Sequence, residues 1–154
     1  MSESDKDLVP ASMGGRQFLP PFAELLDRLT VDQIKEVLIP SQAAACAGEM
    51  AKIAHDLDLL IDQRNIKLSA RLIRMIIVIA QMNVHIWYNK DRMTEVPERY
   101  LELLKLAHQL NGLRNQVKNL LLEEAGDREK SAQRTNFNTD GLEGWNISLL
   151  GEPR

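Results

Sequence analysis

From residue 72 to 80 the chain reads Leu-Ile-Arg-Met-Ile-Ile-Val-Ile-Ala, and the apolar character continues through Val84, Ile86 and Trp87. No proline falls between residues 41 and 96, so nothing in this stretch forbids long helices. A helix apolar over most of its circumference belongs at the centre of a fold. That position makes Asn83 the odd residue, because helical periodicity calls for an apolar side chain there. Arg114 is its counterpart, set within the leucine stripe of the next long helical segment. A buried amide or guanidinium is costly unless paired, so two of them facing one core imply a polar lock or a ligand site. The run also contains Arg74, Gln81 and His85 and falls short of the roughly 20 apolar residues of a membrane span, so a core helix is expected.

The chain of 154 residues suits one domain with a sizeable core. With 22 acidic and 19 basic residues, a net charge of −3 and no basic run, nucleic acid and anionic membranes are poor partners by bulk electrostatics. Cys46 is the single cysteine, which excludes an intrachain disulfide and CxxC-type zinc or redox sites. The polar, acidic start lacks a basic segment followed by an apolar one, so it does not read as a secretion signal. The expected setting is the cytoplasm.

Residues 1–19 are expected to be a flexible arm and residues 20–126 a helical bundle. Pro21 opens a first helix over Phe22–Leu29. The Thr30-Val31-Asp32-Gln33 spacing of a capping box predicts a restart into a short helix from Val31 to Leu38, ended by Pro40. Ser41 suits the N-cap of a second helix over Gln42–Arg64, whose stripe is Ala43, Cys46, Ala47, Met50, Ile53, Ala54, Leu57, Leu60 and Ile61. Ser69 caps a third helix, Ala70 to Arg92, with one polar strip of Arg71, Arg74, Gln81, His85 and Tyr88. Pro97 opens a fourth, with a core stripe of Leu103, Leu106, Ala107, Leu110, Val117 and Leu121, and Gly126 closes it as C′. The expectation is all-α: an antiparallel bundle of about four helices with a short N-terminal helix and a docked irregular tail. Residues 127–154 form that tail. Leu142, Trp145 and Ile147 are too apolar to stay solvated, which predicts docking on the bundle or on a partner chain, with Trp145 as anchor.

Asn83, Asn111, Arg114 and Lys118 are the candidate ligand-binding residues, with Arg92 as an outlying fifth. Asn111, Arg114 and Lys118 follow one another along one flank of the fourth helix. Arg114 could fork onto a carboxylate or phosphate while Asn83 orients it. The bland alternative is a hydrogen-bond network fixing the register of two helices. Asp91, an acid at a helix C-terminus, wants a cation such as Arg99 or Arg114. His55, Asp58 and Asp62 share a side of the second helix without a metal-ligand signature, and a solvated acidic edge is expected there. No metal, cofactor or catalytic residue is assigned. His85 and His108 have no nucleophile beside them in the pattern.

The segments Asp27-Arg28-Leu29-Thr30-Val31-x-x-Ile34-Lys35, Asn83-x-x-Ile86-Trp87-x-x-x-Asp91-Arg92 and Asn111-x-x-Arg114-Asn115-x-x-Lys118 resemble a family of small bacterial all-helical proteins of unknown function. The resemblance covers residues 24–122. It implies the helical fold and the polar set facing an Asn/Arg set, not a reaction. The Ala-rich start of the second helix and the Asn/Asp/Gly/Trp tail depart from that pattern. The function expected is a cytosolic helical interaction or assembly protein, self-associating as a dimer or holding a protein partner. The alternative is a binding module or enzyme for a small anionic ligand, a phosphorylated sugar or nucleotide, through the Asn83/Arg114 cluster.

Overall fold

A computed structural model describes residues 15–18, 20–126, 145 and 147–151. Among them are four long helices and no strand, so the chain is all-α. These are α1 (Phe22–Leu38), α2 (Ala43–Gln63), α3 (Ala70–Glu95) and α4 (Tyr100–Glu124). The chain divides into two compact units, Met1–Lys67 and Leu68–Arg154, each built on one helical hairpin.

In the first unit α1 and α2 are joined by a single 3-10 turn, Pro40–Gln42. A connection that short makes consecutive packed helices antiparallel. The expected break at Thr30 is absent: α1 is one helix of 17 residues. Thr30 Oγ1 donates instead to the Asp27 carbonyl, 2.7 Å away, the back-bond a threonine makes inside a helix. Ser41 falls within the 3-10 turn, and α2 begins at Ala43 with no side-chain cap. The second helix also turns a slightly different face inward than its apolar stripe predicts. Cys46, Ile53, Leu57 and Leu60 are buried as expected, but Asp56 and Leu59 are buried too, while Ala47, Ala54 and Ile61 are exposed. Small alanines lose little by facing water, so the larger Leu59 sets the rotation. The helix ends at Asn65, which takes φ +50°. Its amide reaches Asp62 O and that of Ile66 reaches Ile61 O, the paired bonds of a Schellman ending with asparagine in the left-handed position.

In the second unit Ser69 caps α3, its hydroxyl accepting from the Leu72 amide at 3.1 Å, as the sequence predicts. The helix continues past Arg92 to Glu95. Pro97–Arg99 makes a 3-10 turn before α4, and Gly126, at φ +69°, ends it. Cross-links between α3 and α4 run from Arg71–Glu124 through Asn83–Arg114 to Asn89–Leu103. As one number rises the other falls, which is the signature of an antiparallel pair. Leu72, Met75, Ile79 and Met82 of α3 and Leu103, Leu110, Val117 and Leu121 of α4 are almost wholly buried.

Candidate functional site

The polar cluster predicted between the third and fourth helices is present in the second unit. Asn83 faces inward on α3, 4% exposed, because buried Leu72, Ile79 and Met82, which share that side of the helix, fix the phase of the face. Its Oδ1 accepts from Arg114 Nη1 at 2.8 Å. Arg114 Nη2 donates to Asn111 Oδ1, one turn earlier on α4. The guanidinium therefore spreads its fork over two amide oxygens from two helices. Lys118, expected at the edge of the stripe, is buried at 4% exposure. Four of the five proposed ligand-binding residues thus lie on the facing parts of α3 and α4, and Asn83, Arg114 and Asn111 are joined by hydrogen bonds.

The fifth is elsewhere. Arg92 is exposed and lies nine residues along α3 from Asn83, about 13 Å along the axis. Its charge acts on Glu102, beside the Arg99–Glu102 pair at 2.7 Å. Arg99, through that hydrogen bond, holds the Glu102 carboxyl below its ordinary range. Asp91 is exposed, and Arg99, named as its partner in the sequence reading, serves Glu102 instead. Asn89 was not singled out by pattern. It is buried, and its Nδ2 donates to the Leu103 carbonyl at 2.6 Å, a second tie between the two helices. It lies six residues beyond Asn83 and about 120° around the helix, so the periodicity that marks Asn83 does not mark it.

The tail docks on α3. Trp145 meets His85 edge-on, with ring centroids 4.6 Å apart. Arg74 Nη2 donates to Ser148 Oγ at 2.6 Å, and Leu149 is buried. Trp145 and Ile147 are half-buried, so Leu149 is the most deeply held of the described tail residues. Leu142 lies outside the described residues.

In the first unit the acidic edge expected on α2 hides a clamp. Asp58 and Asp62 are exposed, but Asp56 is wholly buried. Its two oxygens accept from the backbone amides of Gln17 at 2.6 Å and Phe18 at 2.7 Å, and Arg16 Nε stands 3.8 Å away. His55 Nε2 lies 3.2 Å from the Gly15 carbonyl. Residues 15–18, placed in the flexible arm by composition, are thereby fixed to α2; residues 1–14 and 19 lie outside the described residues. A carboxylate receiving two amides satisfies its buried charge. Nearby, Asp32 of α1 is buried, and its Oδ2 has no donor among the described residues. Burial, then the charge of Glu49 on α2, raises its pKa above the ordinary 3.8, against the opposing pull of Lys35 and Arg28.

The outer face of α3 is apolar. Ile73, Ile77, Val84 and Tyr88 are 42, 59, 36 and 51% exposed and, at 100° per residue, fall within a 60° sector of the helix. The sequence reading placed the exposed side of this helix on its polar strip; Arg74 and Gln81 only border the apolar sector. By length and composition α3 is long and apolar enough to cross a membrane, with apolar residues on both its inward and its outer faces. No protein-family model matches the chain, and no curated protein or solved structure matches it significantly.

Proposed function

We propose that the protein is a helical interaction and assembly module that works through the outer face of α3 and carries no catalysis of its own. The observation behind this reading is the exposed row of Ile73, Ile77, Val84 and Tyr88, a contiguous apolar strip of the kind that marks partner contacts. The Asn83–Arg114–Asn111 cluster supports it from the other side. Arg114 directs both terminal nitrogens at protein oxygens, so a ligand anion would have to displace two amides already in place. The cluster is better suited to lock helix register than to receive a metabolite. A membrane surface fits less well, since Arg74 on the border of the strip is engaged with Ser148 and the chain is net acidic. Cytoplasmic residence belongs to the same proposal, in keeping with a lone buried cysteine.

The experiment compares the wild type with an Ile73→Lys, Ile77→Lys double variant, each expressed in its source cell and run on native gels. The wild type should migrate in a particle larger than one chain, and the variant as a single chain with an unchanged melting temperature. Identical migration of both as single chains would refute the proposal. The anion-binding alternative has its own check: a ligand at 100 times its dissociation constant adds about 2.7 kcal/mol of stability. A thermal-shift screen of phosphorylated sugars and nucleotides should find no such gain.

A further inference from the structure

We infer that the occupant of the α3 outer face is a second copy of this chain, its α3 lying antiparallel across a two-fold axis. The inference rests on the interaction reading above and adds the partner and the register.

Ala70, Ile73, Ile77 and Val84, which are exposed, and Ala80 and Trp87, which are half-buried, are spaced alternately by three and four positions, the heptad spacing of a coiled-coil seam. This seam is distinct from the inward face that packs on α4, where Leu72, Met75, Ile79 and Met82 are used up. A single hairpin needs only one such face. The second has a period suited to a long straight helix as its partner.

Which helix it suits follows from the order of sizes. In an antiparallel pair the first core position of one heptad packs on the other core position of its neighbour. Centring the two-fold axis between Val78 and Ile79 sets Ile77 against Ala80, Ile73 against Val84, and Ala70 against Trp87. Two of those three matches set a large side chain against an alanine, so the two helix axes can approach toward the lower end of the usual 8–10 Å range. Parallel pairing in register would put Trp87 on Trp87 and Ala80 on Ala80, crowding one level and leaving the other empty. Charge points the same way. Asp91, on the seam line at the far end of the helix, is exposed. Parallel pairing would stack it on its own copy, whereas the antiparallel pairing carries the two copies of Asp91 to opposite ends. The described tail residues dock beside the seam rather than on it, with contacts at Arg74 and His85 on one flank.

The test uses charge swapping in the full-length protein, read by sedimentation and by thermal melting. The wild type should sediment as a dimer at high micromolar concentration. Ile77→Lys alone and Ala80→Glu alone should each weaken dimerisation about tenfold or more, with melting of the separated chain little changed because Ile77 is exposed and Ala80 is only half-buried. Mixing the two variants should restore the dimer, since the new lysine of one copy then meets the new glutamate of the other. Only antiparallel pairing gives that rescue. A dimer that neither variant weakens would overturn the seam while leaving assembly intact. Weakening without rescue would overturn the antiparallel register. A monomeric wild type would overturn the second copy as occupant, and one that dimerises only after deletion of residues 127–144 would identify the chain's own tail as the cover.

Discussion

Three residues carry charge into otherwise apolar surroundings, and each meets a different fate. Arg114 spends its fork on the amide oxygens of Asn83 and Asn111. Because these two acceptors are neutral amides and the residue is half-buried, Arg114→Ala should cost about 1.5–3 kcal/mol in denaturant melts, the range for a hydrogen bond with one charged partner. Arg114→Met, which keeps the volume, should cost less. A double-mutant cycle with Asn83→Ala should show a coupling of about 0.5–3 kcal/mol; zero coupling would mean the bond has no bearing on stability. Asp32 behaves oppositely. Its pKa is raised in the folded protein, so its stabilising contribution is complete below the ordinary 3.8 and is lost as pH climbs through the folded value. At neutral pH the buried carboxylate is a liability. Asp32→Asn should therefore raise the melting temperature at pH 7, with the gain shrinking as the pH falls to 3.8 and below. Asp56 satisfies its charge with two backbone amides. Asp56→Ala should release residues 15–18, seen as fast hydrogen exchange at Gln17 and Phe18, while the amides within α3 and α4 stay protected.

At the scale of elements, the sequence was most legible where one signal acted alone. Ser69 at the head of α3 and Gly126 at the foot of α4 end their helices as their chemistry requires. Asn83 opposite Arg114 was legible for the same reason, since a polar residue in a saturated apolar face must find a partner across the interface. Signals failed where two competed. At Thr30 the capping-box pattern lost to the apolar phase of Leu25, Leu26 and Leu29, which continues through it. On α2, alanines fit either face, so the stripe could not reveal that Asp56 and Leu59 turn inward. The depth of Asp56 was illegible because its partners are backbone amides of residues 17 and 18, which no side-chain pattern encodes. Arg92 was assigned to the cluster on residue type, and its helical position carries it to Glu102 instead. The tail shows the same limit. Its apolar residues foretold docking, but the bond from Arg74 to Ser148 did not follow from them. Removing residues 145–154 should expose the flank of α3 at His85 and Arg74 and lower the melting temperature modestly, because Leu149 is the only fully buried side chain among the described tail residues.

At the scale of the molecule, the chain is two helical hairpins in series, and what distinguishes the second is that its first helix has two apolar faces. One is consumed by α4; the other faces outward with heptad spacing. The most direct measurement is a distance between spin labels placed at residue 90, as Lys90→Cys in a Cys46→Ala background, since Lys90 is exposed and lies off the seam. In the antiparallel pairing Lys90 of each copy lies 11.5 positions from the two-fold axis between Val78 and Ile79, on opposite sides of it, so the labels are 23 positions apart along the helix pair. At 1.5 Å per residue the two labels should then stand about 35 Å apart. A single peak near that distance, lost when Ile77→Lys is added, is the expected result. A peak near the roughly 10 Å of two adjacent parallel helices, or no intermolecular coupling at high micromolar concentration, would contradict it.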